Sequence, residues 1–164
     1  MTRNIAIFLD LDNILIGANE VHLPVDIKLI VTTVEELVGG RAVLRYAYGD
    51  YRHYQQIPRL LTQAGFQLQS VVRLNNSDKN LADMQMVAEA VETMIDGYRY
   101  HCYVLVTGDR DFIPLVQVLR RHDKTVIGMG VKHTTSQSLV ELCDHYIFYD
   151  DLFPDEVAVD SADL

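Results

Sequence analysis

The chain has 164 residues, 49% of them apolar, which suits one domain with a continuous core. No apolar run approaches the roughly 20 residues of a membrane helix, and Ile5–Leu9 stops at Asp10 and Asp12 rather than at a small-residue cleavage site, so a cytoplasmic protein is expected. The formal net charge of −9 opposes tight, metal-free binding of nucleic acid; leaving out residues 151–164, an acidic tail with five acids and no Lys or Arg, brings −9 to −4.

In chain order, Ile5–Leu9 reads as a strand buried on both faces. A loop with Gly17 and Pro24 follows. Ile27–Val38 is predicted as a helix with Asp26 as N-cap and Gly39-Gly40 as its stop. Ala42–Tyr48 is the second strand, Tyr54–Ala64 a helix closed by Gly65, and Phe66–Arg73 the third strand. Asn80–Ile95 is a helix whose apolar face is read as Met84, Val87, Ala88, Val91 and Ile95. Cys102–Val106 is the fourth strand. Phe112–Arg121 is a helix that admits Pro114 only in its first turn. Thr125–Met129 is the fifth strand, Ser136–Cys143 a helix, and Tyr146–Phe148 a last short strand. Cys102 and Cys143 sit inside apolar segments and are expected to be buried free thiols.

Strand alternating with helix implies a parallel sheet covered on both faces: a three-layer α/β/α domain over residues 1–150, with the acidic tail 151–164 after it. Right-handed crossovers put every strand C-terminus at one edge, where such sheets bind ligands. The polar residues at that edge are mostly aspartates. The first strand runs into Asp10-Leu11-Asp12-Asn13 and the fourth into Thr107-Gly108-Asp109-Arg110-Asp111. Asp83 lies in the first turn of the third helix, in line with Val87 and Val91. Each acid alone reads equally well as a helix cap or a first-turn residue. Together, like charges in one crevice repel and call for a counter-charge. A hard divalent cation such as Mg²⁺ supplies it through oxygen ligands and suits phosphodiester chemistry.

These segments carry a family resemblance. Ile7-Phe8-Leu9-Asp10-Leu11-Asp12-Asn13-Ile14 resembles the opening motif of NYN domains, PIN-like nucleases that include the LabA-like proteins. Val106-Thr107-Gly108-Asp109-Arg110-Asp111-Phe112 resembles their second signature, Lys79-Asn80-Leu81-Ala82-Asp83 lies between the two, and Ser136–Leu139 through Asp144–Ile147 is similar to their closing helix and strand. The likeness spans about residues 4–150. It implies a PIN-like, Rossmann-like fold and Mg²⁺- or Mn²⁺-dependent phosphodiester cleavage, with single-stranded RNA as the expected substrate. Carried over by position, Asp10, Asp83, Asp109 and Asp111 are the catalytic metal ligands, directly or through water. Asn13 and Thr107 support them, and Lys79 meets a substrate phosphate. Asp12 is an additional acid within the first motif.

Cations and tyrosines crowd the second and third strand–helix units, and Tyr48–His53, including Arg52, is the segment expected to meet substrate by stacking and phosphate contact. The alternative for Tyr46 and Tyr48 is that they face the core. The six histidines show no zinc spacing and read as surface residues. Gly128-Met129-Gly130 lacks a full dinucleotide fingerprint. Two other functions stay open. Asp10-Leu11-Asp12-Asn13 also resembles the opening of haloacid dehalogenase-like phosphatases, with Asp10 as nucleophile and Asp12 as general acid, although Ile14 stands where Thr or Val is usual. The third is a non-catalytic PIN-like module that binds RNA or protein. Val131, Leu152 and Phe153, read as exposed, offer either a homodimer interface or an anchor for the tail.

Overall fold

The computed structural model describes residues 3–50, 54–69, 79–97 and 99–154. Six parallel strands form the central sheet: β1 (Arg3–Asp10), β2 (Gly40–Tyr48), β3 (Gln67–Gln69), β4 (Cys102–Val106), β5 (Thr125–Gly130) and β6 (His145–Phe148). Their order is β3-β2-β1-β4-β5-β6. The chain winds outward from β1 to one edge, crosses back to β4, and winds outward to the other edge. The switch point therefore falls between β1 and β4, at the middle of the sheet.

Helices α1 (Leu11–Glu20), α2 (Ile27–Val38) and α3 (Ile57–Gln63) cover one face. Helices α4 (Lys79–Ile95), α5 (Ile113–Arg121) and α6 (Gln137–Leu142) cover the other. The two central strands are apolar to both sides because both faces are covered: Ile5, Ile7 and Leu9 enter the first core layer, Ala6 and Phe8 the second. This is the three-layer architecture expected from the strand–helix alternation.

Helix α2 has the boundaries the sequence dictates. The Asp26 carboxylate accepts from the Leu29 amide at 3.0 Å, and Gly39 ends the helix with φ of 68°, a left-handed conformation that favours glycine. Strand β4 also matches. The segment after β1 differs from expectation: it is helical, not a loop. Leu11, Ile14, Leu15 and Ala18 recur at helical spacing and are all buried, so Gly17 is carried inside the helix by packing. Helix α4 differs in its orientation. Its fully buried positions are Ala82, Met86, Ala90 and Thr93; of the expected face Val87 and Val91 are partly buried against the second core layer, while Met84 and Ile95 face solvent. The helix has two apolar sides, and periodicity alone cannot say which one meets the sheet. Strand β3 is described only over Gln67–Gln69; the rest of the predicted strand, 70–73, lies outside the described residues.

Val131 is fully buried, and Leu152 and Phe153 are partly buried against the first core layer, with Phe153 edge-on to Tyr149. These three are core and flank residues, so the expectation of an interface there is corrected. Cys102 and Cys143 are buried free thiols, whose burial pushes them up to about 12 and about 11. No described helix is long and apolar enough to cross a membrane.

Candidate active site

Asp10 is the last residue of β1, and Thr107 follows the last residue of β4, so the two stand side by side across the switch point. Thr107 donates its hydroxyl to Asp10 Oδ2 at 2.8 Å and accepts from the Asp109 amide at 3.2 Å. Asn13 closes a second link: its side-chain oxygen accepts from the Gly108 amide at 2.9 Å, while its own amide donates to Asp10 Oδ1 at 3.4 Å. The two motifs, nearly a hundred residues apart, are thus tied by a threonine hydroxyl and an asparagine amide. Asn13 and Thr107, expected to support the acids, each donate a hydrogen bond to the Asp10 carboxylate.

The chain around Gly108 leaves no room for a side chain. A Cβ there would stand 2.6 Å from Thr135 Oγ1 and 2.7 Å from the Thr134 carbonyl oxygen. The Gly108 carbonyl accepts from the Ser136 amide at 2.9 Å, and Tyr146 donates its hydroxyl to the Thr107 carbonyl at 2.9 Å. Sequence reading did not single out Tyr146 or Thr135. Neither carries a local signal: Tyr146 looks like an ordinary strand aromatic until β6 is placed beside β5 with its hydroxyl directed toward the β4 end.

Electrostatically, Asp10 is the centre. Only 7% of it is exposed, and burial is the main force that raises its carboxyl from 3.8 to about 7. The Asp83 charge raises it further; the bonds from Thr107 and Asn13 lower it, and Asp12 adds a smaller upward push. The fold therefore brings Asp10, Asp83 and Asp12 close enough to interact. Asp12 sits in the first turn of α1, where its Oδ1 accepts from the Asp50 amide at 3.4 Å. It is turned toward the end of β2.

Asp109 is half-buried and its Oδ1 accepts from the Asp111 amide at 2.9 Å, so it caps the single 3₁₀ turn Arg110–Phe112 before α5. Asp10 likewise caps α1. The capping role, weighed against a metal role in the sequence, is real for both residues. Asp111 is exposed and shares a pocket of about 400 Å³ with Asp83, Asn80, Met84, Val87, Ala88 and Phe112. Among the described residues, no three His, Cys, Asp or Glu side chains form a ready-made metal-binding group. The donor chemistry still fits a hard divalent cation: the groups at this edge are carboxylates, and the buried one is held far above its ordinary pKa first by burial and then by the charge of Asp83.

Tyr48 does not meet substrate. It is 2% exposed, stacks on Phe8 and donates its hydroxyl to Glu89, because its β2 position faces the second core layer. Tyr46 also packs on Phe8, edge-on. Arg52 and the rest of 51–53 lie outside the described residues, as does the side chain of Lys79. The described histidines are exposed, as expected of surface residues.

The pattern of one protein family, the NYN domain, matches residues 4–150. The chain belongs to the NYN domain family. That family is one of PIN-like nucleases, and the match includes every acid placed at the sheet edge above. The NYN domain described here is also similar to the crystal structure of a protein of unknown function from Vibrio parahaemolyticus RIMD 2210633. The two share 25% sequence identity with a TM-score of 0.75, over 92% of this chain and 95% of that one. No curated protein gives a significant sequence match.

Proposed function

We propose that this NYN domain is a divalent-metal-dependent nuclease that cleaves phosphodiester bonds in RNA, with single strands as substrate. The observation that carries this reading is Asp10: a buried carboxylate at the switch point, coupled to Asp83 and Asp12, and fixed by the motif of the neighbouring strand. A structural cap needs neither that burial nor those acidic neighbours. Family membership supports nucleolytic chemistry over the phosphatase resemblance.

In this reading Asp10, Asp83, Asp109 and Asp111 hold Mg²⁺ or Mn²⁺, directly or through water. When bound, such a cation stabilises charge on a phosphodiester and lowers the pKa of water. The chain's own residues do the positioning. Thr107 and Asn13 fix both oxygens of Asp10, so its carboxylate cannot rotate away when charge builds up nearby. Tyr146 anchors the Thr107 carbonyl and hence the hydroxyl above it. Asp83 enters from a separate element, which lets acids reach a ligand from two directions. Asp12 tunes Asp10 by its charge. Lys79, four residues before Asp83, and Arg52 are assigned to substrate phosphate from sequence alone.

The test is incubation of the purified chain with labelled single-stranded RNA and DNA in Mg²⁺, Mn²⁺ and EDTA, beside Asp10→Asn and Asp109→Asn. Cleavage in metal, its loss in EDTA, and its loss in folded Asp10→Asn are expected. Absence of metal-dependent cleavage at micromolar protein would replace this reading with the non-catalytic binding module.

A further inference from the structure

At the edge of the sheet opposite Asp10, four neighbouring strands begin side by side: β1, β4, β5 and β6. Arg3 and His145 stand two residues before Ile5 and Ile147, which pack into the first core layer, so strand alternation aims both side chains to that same face. His101 and Lys124 come from the segments that lead into β4 and β5, and both are held in place. The His101 amide donates to the Asn4 carbonyl at 2.9 Å, and its carbonyl accepts from the Thr125 amide at 3.0 Å. The Lys124 ammonium donates to the Tyr100 carbonyl at 2.9 Å. These four basic residues and Asp123 line a pocket of about 360 Å³. Its floor is apolar, from the buried Cys102 and Ile127, and Leu37 and Val38 of α2 form a wall.

The lining reverses the charge of the chain. The whole sequence carries −9; here an arginine, a lysine and two imidazoles stand with one carboxylate. Asp144, beside His145 in the chain, is committed elsewhere: its Oδ2 accepts from the Val126 amide at 2.8 Å and its Oδ1 lies 3.3 Å from Arg120. Among the described residues, no hydrogen bond or ion pair engages the side chains of Arg3, His101 or His145. The charge of Arg3 reaches the pocket floor: burial pushes the Cys102 thiol up, and Arg3 offsets part of that push. Cations gathered without partners attract an anion.

We propose that this pocket binds a small phosphate monoester with a flat apolar body, the phosphate on the basic rim and the body on the Cys102–Ile127 floor. A phosphate monoester carries close to two negative charges and three acceptor oxygens, which suits donors arriving from several strand starts. A carboxylate offers one charge and two oxygens. The organic body follows from the dimensions: β1 and β6 are three strand spacings apart, about 14 Å, so a bare ion reaches only part of the rim and leaves the floor uncovered. The volume falls in the range of small-molecule sites, about 300–1,000 Å³. The pocket is distinct from the carboxylate cluster, because Arg3 and Asp10 stand at the two ends of β1, about 23 Å apart.

Amide chemical shifts of the full chain, titrated with phenyl phosphate in EDTA, test this independently of any nuclease activity. Saturable binding with a dissociation constant on the order of 0.1–1 mM is expected, with shifts at Cys102, Thr125 and His145 and none at Thr107 or Gly108. Inorganic phosphate and benzoate should each bind at least about tenfold more weakly. Arg3→Gln and Lys124→Gln should each weaken phenyl phosphate at least about tenfold; Arg3 is exposed, and a glutamine at 124 can still donate to the Tyr100 carbonyl. Asp123→Asn should act the other way and tighten binding, since it removes the opposing charge and asparagine tolerates the left-handed φ of 61° at this position. Lys28→Gln, on α2 outside the pocket, should change nothing. No saturation below about 10 mM, benzoate binding as tightly, or indifference to both Arg3→Gln and Lys124→Gln overturns the proposal. A short RNA without a terminal phosphate that shifts the same amides as strongly overturns it in favour of strand recognition.

Discussion

Thr107 Oγ1 donates to Asp10 Oδ2 at 2.8 Å, and the same oxygen accepts from the Asp109 amide at 3.2 Å. One hydroxyl thus serves the acids of both motifs. A valine there keeps the shape and removes both bonds. Thr107→Val should lower stability by about 1–3 kcal/mol, because a half-buried amide and a buried carboxylate each lose a partner. Cleavage should fall by roughly 10–100-fold, the usual range for groups that orient metal-binding residues. Thr107→Ser, which keeps the hydroxyl, should recover most of both. Urea denaturation and single-turnover cleavage check this; a valine variant of unchanged rate would mean that Thr107 serves packing alone.

Asp10 gives the pH dependence. In chelator the folded chain holds this carboxyl at about 7 against an ordinary 3.8. Between those values the folded state keeps a proton that the unfolded state has released. The contribution of Asp10 to stability is therefore greatest at low pH and falls as pH rises through about 7, by on the order of a few kcal/mol. Asp10→Asn should remove this decline and leave the metal-free chain more stable than the parent near neutral pH. Added Mg²⁺ or Mn²⁺ should raise the parent's melting temperature more than that of the variant. Melting curves at pH 5 and pH 8, with and without cation, decide it; equal cation effects on both chains would sink the assignment of Asp10 as a ligand.

Much of this site is legible in the sequence, and the reasons are local. Asp10 and Asp109 follow short all-apolar runs, and in a parallel sheet such runs end at one edge. Their pairing needs only the strand order. The face of α4 is only partly legible, because Met84, Val87, Ala88, Val91 and Ile95 make as good a helical stripe as the side that is buried, and of these only Val87 and Val91 pack against the core. Tyr48 was equally open: strand alternation allowed it to face substrate or core, and only the position of Phe8 and Glu89 beneath it decides. Helix α1 is masked by Gly17 and by a motif that reads as loop, although Leu11, Ile14, Leu15 and Ala18 hold helical spacing. Tyr146 is invisible because its role depends on β6 standing next to β5, a relation that no local pattern carries.

Gly108 supplies a steric prediction. Its amide reaches Asn13 and its Cα faces the Thr134–Thr135 backbone, with a virtual Cβ within 2.7 Å of the Thr134 carbonyl oxygen and of Thr135 Cα. Backbone cannot swing aside as a long side chain does. Gly108→Ala should cost about 1–3 kcal/mol and weaken the link to Asn13, lowering cleavage together with stability. A fully active, equally stable alanine variant would show that the two loops separate without cost.

Tyr149 provides a test far from the candidate site. It is fully buried, accepts from the Asp26 amide at 3.0 Å and donates to the Pro24 carbonyl at 2.5 Å. The last 3₁₀ turn is thereby pinned to the loop that starts α2. Burial, with repulsion from Asp26, outweighs the amide's bond and pushes the phenol up to about 12 from its ordinary 10. The folded chain keeps this proton when the unfolded chain has lost it, so stability from this group is complete below pH 10 and declines as pH rises toward 12. Tyr149→Phe removes the titrating proton and leaves the Asp26 amide and Pro24 carbonyl without this partner, at a cost of about 1–3 kcal/mol near neutral pH. Other buried tyrosines and both thiols titrate in the same direction, so the alkaline decline should persist with a smaller slope in the variant. Denaturation midpoints from pH 8 upward measure that slope; an unchanged slope would show that the Tyr149 hydroxyl reaches solvent.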